Sequence, residues 1–232
     1  MYGEHKKLSI SISSATRHKA VDWGLKINSA GWIRVHDLLT HKNFIGLVES
    51  TLDHIVASNG KQRFQFGRNA QKVRFIRAVQ GHTIKSVDSD LLLEKIENPF
   101  EYSEVIHGTY LEPIPFILEG GLNRMARNHV HMCLGYPGQV ISGMRASAEV
   151  IVEVNMVAAI HNNIPFYVSA NDVLLTEGTK GVEGFKDGSI PPRYLRSIVD
   201  FRKMTYISEA PIDFAIVCSL AKTDGEKGKK LK

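Results

Sequence analysis

Cationic side chains in this sequence recur beside glycine, histidine or other small residues. The groupings are Thr16-Arg17-His18, Asn59-Gly60-Lys61-Gln62-Arg63-Phe64, Gln80-Gly81-His82, His107-Gly108-Thr109, Arg127-Asn128-His129-Val130-His131 and Ile141-Ser142-Gly143-Met144-Arg145. An arginine fork holds a phosphate through two parallel N–H donors and keeps its charge at any physiological pH, so several forks meeting at one point make a phosphate clamp. Histidine adds a donor whose protonation follows the chemistry. Glycine lets backbone come close to a ligand. His129 and His131 also share one face of a strand, a spacing that suits a metal, but no third ligand is evident and none is expected to bind.

The elements that must carry these groups follow from the pattern of the chain. Leu8 to Trp23 is compatible with a helix, although Ile10-Ser11-Ile12-Ser13-Ser14 is a poor helix former that must rely on tertiary packing. A turn at Asn28–Gly31, a short strand at 32–35 and a helix opening at Val35 come next. Residues 47–57 repeat apolar positions at helical spacing and stop at Ser58-Asn59-Gly60. Gln62–Phe66 and Val73–Arg77 alternate with period two and read as a hairpin. Helices followed by a hairpin suggest a winged-helix-like lobe, and residues 84–104 read as a connection ending at the turn-favouring pair Asn98-Pro99. Beyond it come strands at 105–107, 129–132, 149–154, 166–168 and 173–175, with short helices at 113–118 and 156–161. The fold class expected is therefore α+β, with a lobe at 1–98, a split-sheet lobe at 99–220 and a Lys-rich tail at 221–232.

Composition narrows the classes. The net charge is +5, yet residues 1–98 carry 15 Lys and Arg against 9 Asp and Glu, a net of +6, while the remainder is near neutral. An anionic partner, nucleic acid foremost, is expected at the front lobe. The two cysteines, Cys133 and Cys218, form no Cys-x-x-Cys pair, so neither a disulfide framework nor a zinc ribbon is expected. The start of the chain lacks a signal-peptide core and no run is long and apolar enough to cross a bilayer, which points to a soluble, intracellular protein with no membrane partner, nuclear or cytoplasmic in a eukaryote. A monomer is the expectation. P-loop, Gly-x-Gly-x-x-Gly, Gly-x-Ser-x-Gly and His-Glu-x-x-His motifs are absent.

In their order, Arg17-His18, Lys61-Gln62-Arg63-Phe64, Gln80-Gly81-His82, His107-Gly108-Thr109-Tyr110, Arg127–Met132 and Ile141–Arg145 resemble the motif series of the NAD-dependent tRNA 2'-phosphotransferases over roughly residues 8–178. The resemblance implies NAD as co-substrate and a 2'-phosphorylated RNA, spliced tRNA in particular, as partner. It further implies that the splice-junction phosphate attacks the nicotinamide-bearing ribose carbon of NAD, and that the ADP-ribosylated intermediate resolves to 2'-OH RNA and ADP-ribose 1'',2''-cyclic phosphate. Arg17, His18, Arg63 and Arg127 would be the phosphate clamp and catalytic set. His107, Gly108, Thr109, Asn128, Ser142, Gly143 and Arg145 would hold the cofactor in an ADP-ribosyltransferase-like second lobe. On this view Arg127 comes from the rear lobe and the clamp is shared between lobes. The first motif departs from the family pattern, with Ile10 at a lysine position and Thr16 at a leucine position. An ADP-ribosyltransferase acting on nucleic-acid ends or protein, and a non-catalytic winged-helix RNA-binding protein, are the alternative functions.

Overall fold

The computed structural model describes residues 2–136, 142–145 and 147–209. Ile141, Cys218 and the Lys-rich tail lie outside the described residues. In chain order the elements are α1 (Tyr2–Ser14), continuing into a π-helical turn (Ala15–Lys19), then β1 (Ile33–Arg34), α2 (Val35–Leu39), α3 (Glu49–Ala57), β2 (Phe64–Arg68), β3 (Arg74–Ala78), α4 (Ser89–Leu92) and β4 (Glu94–Lys95). They are followed by β5 (Ile106–Thr109), α5 (Ile114–Gly120), β6 (Leu122–Asn123), β7 (Val130–Met132), β8 (Val150–Val154), α6 (Met156–His161), β9 (Phe166–Val168), β10 (Leu174–Thr176), β11 (Ser189–Ile190), β12 (Leu195–Asp200) and β13 (Thr205–Glu209). Helix and sheet are thus mixed in an α+β chain, and no described helix is long and apolar enough to cross a membrane.

The chain divides into two compact units. The first runs to Lys95 and takes in two later segments, Ala126–Asn128 and Tyr167–Val173. Its sheet is antiparallel in the order β1-β3-β2, with Ile76 opposite both Ile33 and Phe66. The hairpin β2–β3 forms as the alternation predicts. Its turn is closed by the Asn69 side chain, which accepts from the Val73 amide at 2.9 Å, and Lys72 takes a left-handed φ of 61°. The first helix begins earlier than the pattern from Leu8 suggests and ends at Lys19. Its weak propensity is overcome by packing: Ile12, Ala15 and Thr16 are fully buried, with Leu38, Leu52 and Ile76 also at zero exposure in this unit. β4 pairs with the part of β9 that belongs to the same unit, Glu94 opposite Val168 and Lys95 opposite Tyr167.

The second unit holds a four-stranded antiparallel sheet in the order β13-β12-β8-β5, together with the pairs β10–β7 and β11–β6. The apolar run of β8 is buried at Val150, Ile151, Val152 and Val154, as expected of a strand covered on both faces. An isolated bridge between Ile106 and Cys133 ties β5 to the end of β7, and Ile106, Cys133, Met144 and Ile151 pack as one apolar cluster.

Candidate phosphate-binding site and second-unit residues

Arg17 and His18 both lie on the π-helical turn. A π turn carries one extra residue per hydrogen-bonded ring and redirects side chains locally, which is why such turns recur at functional sites. Thr16 contributes to the local geometry. Its hydroxyl donates back to the Ile12 carbonyl at 2.8 Å, which leaves no buried hydroxyl unpaired where the family pattern has leucine. The departure at Thr16 is therefore absorbed by one hydrogen bond.

The loop that follows β3 holds this turn in place. The Thr83 amide donates to the Arg17 carbonyl at 3.0 Å, and the Thr83 hydroxyl stands 3.1 Å from His18 Nδ1. Gly81 adopts φ +88°, and a Cβ there would come to 3.5 Å from the Arg17 guanidinium carbon, so the loop backbone lies against the guanidinium face. Arg127 belongs to the same unit, not to the second. Asn128 anchors its segment: its amide donates to the His82 carbonyl at 2.8 Å, its side chain donates to the Ile84 carbonyl at 2.9 Å, and it accepts from Lys85 Nζ at 3.1 Å. Lys85 Nζ also reaches the Arg127 carbonyl at 3.4 Å. Asn128, which the motif resemblance assigns to the cofactor, is buried among these bonds and supports Arg127.

Arg63 sits just before β2, in a loop rather than in the strand. Asn59 at the end of α3 accepts from the Arg63 amide at 3.3 Å and from Arg63 Nη1 at 3.4 Å, while its own amide donates to Ser9 on α1 at 3.4 Å. Asn171 secures the loop from the other direction by donating to the Lys61 carbonyl at 2.8 Å. Arg74, one residue into the facing strand, serves a different purpose: it is paired with Glu49, at 2.5 Å, and with Asp53.

Arg17 feels the charges of Arg63 and Arg127, and His18 those of Arg17 and Arg127. The Arg17 pKa is depressed to about 10, first by burial and then by the charges of Arg63 and Arg127. Its Nε and Nη2 are buried without any hydrogen-bond partner. His18 is also pushed below its ordinary value, by desolvation first and then by Arg17, Arg127 and Lys19. Among the described residues no carboxylate shifts either group. Like charges held together with unsatisfied donors cost free energy in the free protein, and a dianion with several acceptor oxygens would relieve that cost.

In the second unit, His107 and Thr109 lie on β5. His107 Nδ1 is 2.8 Å from the His131 carbonyl, which fixes that nitrogen as the donor and leaves Nε2 as an acceptor in the neutral ring. Burial lowers the His107 pKa and the bond to His131 opposes this more weakly, so the neutral form is the one expected near pH 7. Gly108 has a packing reason for lacking a side chain: a Cβ would collide with Met144, whose Sδ would be 2.7 Å away. Gly143, at φ +90°, lies against Cys133 and the Met132 carbonyl. Arg145 is exposed, its guanidinium 5.9 Å from the Tyr110 ring centre, and Tyr110 Oη pairs with the Ser147 hydroxyl at 2.9 Å. These residues suit a nucleotide: an acceptor for a ribose hydroxyl in His107, and a cation for a pyrophosphate in Arg145. Cys133 is buried and its thiol is pushed up to about 12, so it takes no nucleophilic part. Among the described residues no group of three His, Cys, Asp or Glu is placed to hold a metal.

Thr83 and Asn171 were not singled out by the motifs, and Asn59 was noted only as a member of its cluster, although Thr83 and Asn59 bond Arg17, His18 and Arg63 and Asn171 bonds the loop that carries Arg63. Thr83 follows the Gln80-Gly81-His82 cluster and Asn59 opens the Arg63 cluster, so proximity in sequence was the available signal.

Comparison with known proteins adds the following. The family profile described as RNA 2'-phosphotransferase, Tpt1 / KptA family matches residues 3–178. The chain is 39% identical over 175 residues to tRNA 2'-phosphotransferase 1 of Danio rerio, covering 74% of this chain and 78% of that protein. It is 36% identical over 179 residues to tRNA 2'-phosphotransferase of Saccharomyces cerevisiae, covering 73% and 77%. With tRNA 2'-phosphotransferase 1 of Homo sapiens the identity is 34% over 201 residues, covering 84% and 76%.

Proposed function

The chain belongs to the RNA 2'-phosphotransferase, Tpt1 / KptA family, and on that premise we propose that it removes the 2'-phosphate from spliced tRNA, or a similar RNA, by transferring it to NAD. The first unit is read as the winged-helix-like, RNA-facing lobe and the second as the ADP-ribosyltransferase-like lobe. NAD supplies an electrophilic ribose carbon with nicotinamide as leaving group, and a 2''-hydroxyl through which the phosphate departs as ADP-ribose 1'',2''-cyclic phosphate.

The observation that carries this reading is the buried Arg17 guanidinium, its Nε and Nη2 without hydrogen-bond partners, under the charges of Arg63 and Arg127 and beside His18. Three guanidinium groups bind and orient a phosphate dianion, and they stabilise the charge that builds on its oxygens when the phosphorus is attacked. His18, neutral in the free protein, takes up a proton as the dianion arrives, and it can return that proton to the RNA oxygen as it leaves. His107 and Thr109 would orient ribose hydroxyls, with Ser142, Gly143 and Arg145 near the pyrophosphate.

The test is product identity. Incubation with a 2'-phosphorylated oligoribonucleotide and NAD is expected to yield 2'-OH RNA, nicotinamide and ADP-ribose 1'',2''-cyclic phosphate. Accumulation of an ADP-ribosylated RNA end without the cyclic product would replace this reading with an ADP-ribosyltransferase. Absence of nicotinamide release would leave only an RNA-binding protein.

A further inference from the structure

The phosphate clamp stands at one end of a larger feature. A cleft of about 690 Å³ runs between α1 and α3 and includes both Arg17 and Arg63 in its wall. One side is a stripe on α1: His5, Ser9, Ser13 and Arg17 follow at four-residue intervals and so lie one above another on a single helix face. Twelve residues of helix rise about 18 Å, the reach of roughly three to five nucleotides of a single strand. The opposite side is the last turn of α3 and the loop after it, with His54, Ser58 and Asn59.

The chemistry of the walls is one-sided. Lys6, Arg17 and Arg63 are cations, the serines and Asn59 are hydrogen-bonding groups, and among the described residues no carboxylate lines the cleft. The acids of α3 are directed elsewhere, Glu49 and Asp53 both being paired with Arg74. At the end away from the clamp, the rings of His5 and His54 meet across the cleft with centroids 5.2 Å apart. Ile10 stands at the lip with 62% of its surface exposed, an apolar side chain among the polar ones. Flat rings, an exposed aliphatic group and spaced cations along one channel fit a polynucleotide strand, whose bases stack while its phosphates are neutralised.

Building on the proposed function, we propose that the α1–α3 cleft is a subsite for the RNA strand adjoining the 2'-phosphorylated nucleotide, with the His5–His54 pair as a base-stacking platform and Lys6 as a backbone-phosphate contact. The phosphorylated nucleotide is gripped by Arg17 and Arg63, and its neighbours on one side run along the cleft toward the histidines. The site thereby favours an internal or terminal phosphate on a strand over the same phosphate on a lone nucleotide.

The experiment compares 2'-phosphorylated substrates from a single nucleotide to an octamer, extended on either the 5' or the 3' side. Wild-type kcat/KM is expected to rise with extension on one side only. In His54→Ala the ratio of long-substrate to short-substrate kcat/KM is expected to fall by ~10-fold, the size of one lost base–ring contact. Lys6→Ala is expected to weaken the long substrate in a salt-dependent manner, reducing the slope of log affinity against log salt by about 0.7, one phosphate contact on a single strand. A length ratio unchanged by both substitutions would overturn the proposal. Binding of unphosphorylated octamers, read by fluorescence anisotropy, keeps this question apart from the transferase reaction. Loss of that binding in His54→Ala and Lys6→Ala supports the cleft even in a protein that turns nothing over, and equal binding by wild type and both variants refutes it even where turnover is normal.

Discussion

Replacing Arg17 by methionine should make the free protein more stable while removing its ability to hold phosphate. The guanidinium is charged in the folded and unfolded chains at neutral pH, but burial and the charges of Arg63 and Arg127 lower its folded pKa to about 10. A base whose folded pKa lies below its unfolded value destabilises the fold wherever it is protonated in both states. The penalty is therefore complete below pH 10 and is relieved as the pH rises through that value toward the unfolded pKa. A depression of this size corresponds to about 3 kcal/mol. Methionine keeps the aliphatic stem and removes both the charge and the buried, unpartnered Nε and Nη2. With about 2–4 °C of melting temperature per kcal/mol in a chain of this size, the free variant should melt up to ~6–12 °C higher, less whatever packing against Gly81 is lost. Calorimetry with and without a 2'-phosphorylated dinucleotide checks both halves: the ligand should raise the melting temperature of the wild type and leave that of Arg17→Met where it was. A variant that melts below the wild type, with Arg17→Gln behaving alike, would show that the clamp is not held at a cost and would refute the argument.

Three further outcomes follow from the same geometry. Arg63→Ala and Arg127→Ala should each abolish phosphate transfer, a loss of 10²-fold or more in kcat/KM, with the circular dichroism spectrum unchanged; near-normal turnover in either variant removes that residue from the clamp. Asn59→Ala should lower kcat/KM by about 10-fold through the mobility it gives Arg63, with the melting temperature falling by no more than a few degrees; an unaffected kcat/KM would show that Arg63 is positioned by its own backbone alone. Because burial, and after it the neighbouring cations, hold the His18 pKa down while a bound dianion raises it, affinity for a 2'-phosphorylated oligonucleotide should increase as the pH falls from about 8 to about 6.5; the trend should flatten in His18→Asn, and an equally steep trend in that variant would assign the titration to another group.

Much of the first unit was legible because its signals are local. The period-two alternation of residues 62–66 and 73–77 and the helical spacing of 47–57 each match the elements formed there. The limits of α1 were not, since Ile10–Ser14 has poor propensity and its helix is decided by the burial of Ile12 and Thr16 against distant residues. The clamp residues were visible as types, yet their grouping depends on contacts that a linear reading cannot give. Arg127 stands after several elements of the second unit and still belongs with Arg17 in the first, because Asn128 ties that short segment to residues 82–85. Gly108 illustrates the reverse. A glycine beside a histidine suggests close approach of a ligand, whereas here the space is taken by Met144, which approaches from far along the chain.

The way the clamp is supported bears on how it works. An arginine held away from solvent is most commonly stabilised by a carboxylate, and this unit uses that solution at the half-buried Arg74, where Glu49 and Asp53 share the guanidinium. The hydrogen bonds that position the clamp come from groups without negative charge: the Asn59 side chain for Arg63, the Thr83 amide for the Arg17 backbone, the Thr83 hydroxyl for His18, and Asn128 and the Lys85 ammonium for the segment bearing Arg127. An acid in any of these places would lower the cost of assembling the cations, but it would also compete with the incoming dianion for the same donors. Such supports fix direction without supplying counter-charge. The cost of burying Arg17 beside other cations is then available to bind phosphate. Placing a carboxylate beside it, as in Gly81→Asp, would therefore be expected to weaken phosphate binding more than the loss of any single supporting hydrogen bond, with the left-handed φ of +88° at that position adding backbone strain to the effect.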